Sequence, residues 1–188
     1  MKKQQKLFGA KILAYVALSL ALIVVGGFIK IPLPVPITLQ FAIVLLLSLL
    51  LGEFCALSVA IYILMGLVGM PVFANGGGFA YVLQPTFGYL LGFLIGSFLC
   101  GKIANPHLHG NKPELKRLIV AVTVFLIVVY SLGSVYGLLV FKLYLKNDAS
   151  ILTLLTLLVF NGLWKDLLLS AVILFLAKKL VPLIGLKK

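Results

Sequence analysis

Long apolar stretches constrain this chain more than any other feature, because they recur at lengths that match a membrane. A helix needs about 20 apolar residues to cross a hydrocarbon core of about 30 Å. The sequence contains six candidate segments, at residues 7–29, 39–51, 54–69, 88–103, 118–144 and 151–180. Of the 188 residues, 63% are hydrophobic and four are acidic, which is outside the range of soluble domains. We therefore predict an all-α integral membrane protein, with residues 1–188 forming one bundle of six transmembrane helices.

The formal net charge of +12 suggests nucleic-acid binding, but the distribution of the basic residues argues against it. Twelve of the sixteen lie in three groups, which six crossings place on one side of the membrane: Lys2, Lys3, Lys6 and Lys11; Lys102, Lys112, Lys116 and Arg117; Lys178, Lys179, Lys187 and Lys188. The positive-inside rule assigns that side to the cytoplasm. We predict cytoplasmic termini in a cell membrane, contacts with lipid head groups and no nucleic-acid partner.

Two loops then face outward. In "KIPLPVPIT", residues 30–38, three prolines restrict the backbone and predict a stiff apolar loop, which forms either a lid or a tight connector. The second loop lies within "GMPVFANGGGFAYVLQPTFGYLLGF", residues 69–93. Its three glycines, residues 76–78, permit positive φ and close approach of the backbone to a ligand. Irregular backbone at membrane depth is tolerated only where it is buried in protein or lines a cavity, so this loop predicts a pocket.

The sixth segment contains an ionisable pair in "FNGLWKDLLLS", residues 160–170. A charged side chain in mid-membrane is costly and indicates a functional site. Asn161, Trp164 and Lys165 have the spacing of one helical stripe, whereas Asp166 lies about 100° further round the helix. We therefore expect Lys165 and Asp166 to point in different directions. The alternative is that the two neutralise each other or pair with neighbours.

Small residues form stripes on three segments. Gly88, Gly92 and Gly96, and likewise Gly133 and Gly137, have spacings that let helices pack closely. The first segment carries a similar stripe, which either packs internally or receives another membrane protein: Ala10, Ala14, Ala17 and Ala21. Other motifs are missing. There is no phosphate-binding loop for ATP and no set of catalytic side chains, and His107 with His109 lacks a third metal ligand. We expect no enzyme activity, no bound metal and no cofactor.

Three stretches resemble signature segments of a known family: "PLPVPITLQ", "GLVGMPVFANGGGF" and "QPTFGYLLGF". They are similar to BioY, the biotin-specific substrate-binding (S) component of energy-coupling factor (ECF) transporters. The resemblance implies prokaryotic origin, six helices and capture of biotin from outside. It also implies partners, namely a transmembrane T component and two ABC-type ATPases, which drive a toppling of the S component. The alternative is a self-sufficient vitamin facilitator or secondary transporter.

Biotin has a polar ureido head, an apolar body and a carboxylate, and the chain offers partners for each part. Those proposed for the head are Asn75, Gln84, Asn161 and Asp166, and those for the body are Phe73, Phe79, Tyr89 and Trp164. Lys165 is the candidate partner of the carboxylate, Gly77 allows close backbone approach, and Thr38 and Gln40 either contact ligand or cap the second helix. The family pattern has a lysine one turn after the aspartate; here that place is Leu169, and Lys165 directly precedes Asp166.

Overall fold

The computed structural model describes residues 2–31, 37–105 and 114–184, which are almost entirely helical. The elements in chain order are α1 (Lys2–Phe28), β1 (Lys30–Ile31), β2 (Ile37–Thr38), α2 (Gln40–Leu51), α3 (Phe54–Leu67), a 3₁₀ turn (Phe79–Leu83), α4 (Phe87–Ala104), α5 (Leu115–Leu139), a π turn (Val140–Tyr144), α6 (Ile151–Leu155), a second π turn (Thr156–Phe160) and α7 (Asn161–Ile184). The two short strands pair antiparallel, with Lys30 opposite Thr38.

The six predicted segments are confirmed as helices, since α6, the second π turn and α7 together form the sixth. Within the described residues, three stretches are long and apolar enough to cross a membrane: Gly9–Phe28, Phe87–Ala104 and Leu115–Tyr144. Two shorter apolar helices, α2 and α3, lie between the first two of these. The orientation of the termini stays a prediction.

The break between α2 and α3 falls at Gly52, as the sequence predicts. Gly52 has a φ of 62°, which is unfavourable for residues with a side chain. A Cβ at this position would lie 2.2 Å from the carbonyl oxygen of Asn105, so the turn also packs directly on the end of α4. The side-chain amide of Asn105 donates to the carbonyl oxygen of Leu50 at 2.8 Å. These contacts fix one end of the bundle.

The glycine stripe of α4 packs against α5, which confirms its predicted role in helix packing. A Cβ at Gly92 would lie 2.8 Å from the Cα of Val129, and a Cβ at Gly88 would lie 2.4 Å from the Cβ of Tyr136. Small residues at these positions therefore let the two backbones approach closely. An aromatic cluster fills the centre, where Phe41 lies 5.3 Å from Phe125 and 6.4 Å from Phe93 between ring centroids.

Candidate functional site

A cavity lies at the end of the bundle where α2, α4 and α7 begin, which is the end predicted to face outside. Its empty volume, including the open mouth, is about 740 Å³. Side chains from α2, α3, α4, α5 and α7, together with the two outer loops, form its walls.

Aromatic rings form a large part of the cavity lining. Six of them line the cavity, and four of these belong to tyrosines: Phe41, Tyr62, Tyr81, Tyr89, Phe93 and Tyr130. The ring centroids of Tyr89 and Tyr130 are 6.0 Å apart and nearly perpendicular, a favourable edge-to-face arrangement. Burial raises the pKa of the Tyr81 hydroxyl, so that this group remains a protonated donor at neutral pH. The walls therefore combine apolar ring faces with hydroxyl groups at their edges.

Asp166 is the centre of the polar part of the cavity. Its side chain is 7% exposed, and its Oδ1 lies 2.7 Å from the ammonium of Lys165. The Tyr130 hydroxyl donates to Oδ2 at 2.7 Å, and the Lys165 ammonium also donates to the carbonyl oxygen of Thr38 at 2.8 Å. A buried carboxylate is tolerated where a cation and hydrogen-bond donors compensate its lost hydration, as they do here.

Local backbone features bring these groups together. A Cβ at Gly162 would lie 2.9 Å from the Tyr130 hydroxyl, so glycine here lets that hydroxyl reach Asp166 one turn further along α7. The π turn before α7 leaves the carbonyl of Leu158 available, and the Tyr89 hydroxyl donates to it at 2.5 Å. Single π turns often occur at functional sites. The π turn thus fixes the Tyr89 ring in the cavity wall, and it sets which side of α7 faces the cavity.

The cavity also collects buried polar atoms that lack a partner in hydrogen-bonding geometry. Among the described residues there are four such side-chain atoms: Gln40 Nε2, Tyr62 Oη, Thr86 Oγ1 and Asp166 Oδ1. All four residues line the cavity, and the last atom is the one that contacts the Lys165 ammonium. The Tyr62 hydroxyl also interacts with the Gln40 side chain, and Thr86 interacts with Tyr81. The cavity thus gathers buried polar groups whose hydrogen-bonding capacity is only partly used, an arrangement suited to a polar ligand.

The glycine-rich loop folds into a tight hairpin that shapes the mouth of the cavity. Phe73 and Gly76 exchange backbone hydrogen bonds of 2.9 and 3.1 Å, and Gly76 and Gly78 have φ values of 110° and 104°. The hairpin inserts the fully buried Phe73 ring between Tyr62 and Tyr81, at centroid distances of 5.3 and 4.4 Å. Positive φ is thus observed at Gly76 and Gly78 but not at Gly77. The loop contributes Ala74 and Tyr81 to the cavity.

The structure brings six of the twelve predicted ligand-binding residues onto the cavity: Thr38, Gln40, Tyr89, Asn161, Lys165 and Asp166. The capping alternative for Thr38 and Gln40 is not observed, since the N-cap of α2 is Leu39 and makes no side-chain cap bond. Lys165 and Asp166 contact each other, so the expectation that they point apart is wrong, and the alternative of mutual neutralisation is confirmed. The long lysine side chain turns back across the helix surface to reach the carboxylate.

The other six lie off the cavity, and each has a physical reason. Trp164 is 59% exposed, because α7 faces the cavity with residues 161, 162, 165 and 166 and turns position 164 outward. Phe79 is 77% exposed at the start of the 3₁₀ turn, and Phe73 packs behind Tyr62 and Tyr81.

The remaining three of these six belong to the outer loop. Asn75 is exposed and accepts a hydrogen bond from Lys30. Gly77 is needed for packing, since a Cβ there would lie 2.1 Å from the carbonyl oxygen of Met70. Gln84 is half-buried after the 3₁₀ turn and does not line the cavity. Other residues line the cavity that the sequence analysis did not predict: Phe41, Tyr62, Tyr81, Thr86, Phe93 and Tyr130.

Two other predicted features lie partly or wholly outside the described residues. The three prolines of the predicted lid fall in residues 32–36, and the two histidines fall in residues 106–113. Within the ranges that are described, no three His, Cys, Asp or Glu side chains form a metal-binding group.

The alanine stripe of α1 lies on the side of the helix that faces away from the bundle. Ala10, Ala14, Ala17 and Ala21 are all exposed. The opposite side is buried, and there the Ser58 hydroxyl donates to the carbonyl oxygen of Val16 at 3.1 Å. This exposure argues against internal packing, and the partner interface on the stripe stays a prediction.

Comparison with known proteins gives consistent matches across the chain. A model of the BioY family matches residues 1–185. A protein of Lysinibacillus sphaericus named "Probable biotin transporter BioY" is 42% identical over 152 residues, which cover 80% of this chain and 74% of that protein. The "Biotin transporter BioY" of Thermotoga maritima is 53% identical over 88 residues, which cover 45% of this chain and 52% of that protein.

A solved structure shares the fold. It is described as the crystal structure of the S-component for biotin from an ECF-type ABC transporter. The match has a TM-score of 0.77 at 27% sequence identity and covers 96% of this chain and 94% of that one. The likeness therefore extends over the whole bundle, including the helices that form the cavity.

Proposed function

This chain belongs to the BioY family, and from that premise we propose that it binds biotin in the cavity between α2, α4, α5 and α7. It acts as the substrate-binding S component of an ECF-type transporter in a prokaryotic cell membrane, with residues 1–188 forming the substrate-binding domain. It is a transport protein and not an enzyme. A T component and two ABC-type ATPases supply the energy, since the sequence contains no phosphate-binding loop.

One observation carries the binding proposal: buried polar groups with unused hydrogen-bonding capacity converge on one cavity lined by aromatic rings. The ureido group of biotin has two N–H donors and one carbonyl acceptor. Asp166 Oδ1 is an acceptor for one N–H, and Gln40 Nε2 and the Tyr62 hydroxyl are donors for the carbonyl. The rings of Phe41, Tyr89 and the other wall residues suit the apolar body of the ligand.

Lys165 has a supporting role in this arrangement. Its ammonium already contacts Asp166 and the carbonyl of Thr38, at 2.7 and 2.8 Å. It stabilises the ionised carboxylate that accepts from the ureido N–H, and it joins α7 to the first outer loop. Its predicted contact with the ligand carboxylate stays a prediction, and the ion pair favours the supporting role.

A facilitator or secondary transporter fits the structure less well. The cavity ends on the rings of Phe41 and Phe93, and Phe125 packs behind them at 5.3 and 6.3 Å between centroids. Phe125 is fully buried. Apolar rings, and not polar side chains, thus close the cavity toward the other end of the bundle. Such a site binds ligand but needs a partner to move it.

Two glutamines provide a matched test of the site. Gln40 is 3% exposed and lines the cavity, whereas Gln84 was predicted from sequence and lies off it. Gln40→Met keeps the length of the side chain but removes its donor, and we expect biotin binding to weaken by about 1–3 kcal/mol. Gln84→Met should bind biotin as the unmodified chain does. Equal affinity of all three proteins in titration calorimetry would contradict the proposed site.

A further inference from the structure

Lys30 is a cation at the mouth of the cavity that the proposed ureido site does not use. Its ammonium donates to the carbonyl oxygen of Ala74, and to Asn75 Oδ1 at 2.9 Å. Ala74 lines the cavity, so the charge lies one hydrogen bond from the cavity wall. The backbone of Lys30 pairs directly with Thr38, another lining residue. Residues directly opposite in a ladder project from the same face.

Among the described residues that line the cavity, no unpaired cation remains to bind the carboxylate of a ligand. Lys165 and Asp166 are the two ionised lining residues, and they neutralise each other at 2.7 Å. An anion that approaches Lys165 therefore meets a pair without net charge. By contrast, the contacts of the Lys30 ammonium with described residues are to a carbonyl and an amide, which are neutral acceptors. A carboxylate competes well against such acceptors, because charge-assisted hydrogen bonds are the stronger ones.

We propose that Lys30 binds the carboxylate of the ligand at the cavity mouth and makes this site prefer the free acid over neutral derivatives. This inference rests on the proposed function, since it assumes that the ureido head lies at Asp166. With the head at that depth, the side chain of biotin leads outward toward Ala74 and Thr38. Lys30 then exchanges the amide oxygen of Asn75 for the ligand carboxylate.

Biotin and its primary amide form the matched ligand pair for the test, because they share the head and the chain and differ in the charged group. Both are titrated into the purified full chain and into Lys30→Gln. We expect the unmodified chain to favour biotin over the amide by about 2- to 5-fold, the range for an exposed charge pair. Lys30→Gln should lose this preference by binding biotin more weakly while its affinity for the amide changes less than about twofold.

Three further variants separate charge recognition from loop support. Lys30→Arg keeps the charge and should keep the preference. Asn75→Asp places an anion beside Lys30 without changing shape, and should lower the affinity for biotin but not for the amide. Lys146→Gln removes an exposed cation from the loop after α5 and should change neither affinity. The preference for biotin in the unmodified chain should also shrink as ionic strength rises.

Two results would overturn the assignment. If Lys30→Gln weakens biotin and the amide equally, Lys30 supports the loop and does not recognise the carboxylate. If it weakens neither, Lys30 has no part in binding. If the unmodified chain binds neither biotin nor the amide, the proposed function itself is overturned, and the role of Lys30 is overturned with it.

Discussion

The strongest mutational consequence of this structure concerns Asp166, the one buried carboxylate in the cavity. Asp166→Asn keeps the size of the side chain and an oxygen that can accept from the Tyr130 hydroxyl, which now lies 2.7 Å from Oδ2. It removes the negative charge at Oδ1, which lies 2.7 Å from the Lys165 ammonium. In place of the charged oxygen that accepts from the ligand N–H, the asparagine presents either an NH₂ donor or an uncharged oxygen. The variant therefore tests the ionised carboxylate rather than the volume of the site.

The expected loss follows from the bonds that the charge makes. A hydrogen bond to a charged group contributes about 1.5–3 kcal/mol, compared with about 1 kcal/mol for a neutral one. Since about 1.4 kcal/mol corresponds to a tenfold change in affinity, the Kd for biotin should rise about 10- to 150-fold. Lys165 is 21% exposed at its side chain, so its ammonium can recover hydration when its partner is removed, and the variant should still fold.

Titration calorimetry on detergent-purified proteins measures this change, and thermal melting confirms that each variant is folded. Asp148→Asn is the matched control, because Asp148 is exposed in the loop after α5 and does not line the cavity. It should bind biotin with unchanged affinity. A folded Asp166→Asn protein with the affinity of the unmodified chain would remove Asp166 from the site and refute the proposed orientation of the ligand.

Three further predictions follow from the contacts described above. Tyr130→Phe removes the hydroxyl that orients Asp166 but keeps the ring, and should weaken biotin binding by about 2- to 10-fold in calorimetry. The control Tyr136→Phe, on the same helix but off the cavity, should leave biotin affinity unchanged. Gly92→Leu inserts a side chain where a Cβ already lies 2.8 Å from the neighbouring backbone, and should lower stability by about 1–3 kcal/mol, seen as a lower Tm. Ala14→Trp should preserve biotin affinity and reduce ATP-driven uptake by the reconstituted complex, whereas Leu22→Trp, exposed on another side of α1, should preserve both.

Most of the fold could be predicted because each membrane segment is an apolar run bounded by charged residues, glycine or proline. The break at Gly52 and the helix contacts of Gly88 and Gly92 were predictable for the same local reasons. The two π turns were not, since Val140–Tyr144 and Thr156–Phe160 have ordinary apolar sequences. A π turn depends on how the helix packs against its neighbours, and that information is not local.

The site was predictable where the sequence is unusual for a membrane and not elsewhere. Lys165 and Asp166 are charges in an apolar helix, so they pointed to the turn of the sixth segment that lines the cavity. The rotation of that turn depends on the preceding π turn, which is why Trp164 was wrongly placed on the cavity. Tyr62 and Tyr130 resemble core or lipid-facing aromatics in sequence. Their signal was the hydroxyl, which needs a partner inside a membrane.

The most direct test of the whole account is equilibrium binding of labelled biotin to the isolated chain, purified without a T component or ATPases. The account predicts saturable binding of one biotin per chain, displaced by unlabelled biotin, because described side chains of a single chain line the cavity on several sides. It also predicts that Gln40→Met weakens this binding while Gln84→Met does not. Failure of the folded, isolated chain to bind biotin at saturating concentration would contradict the account.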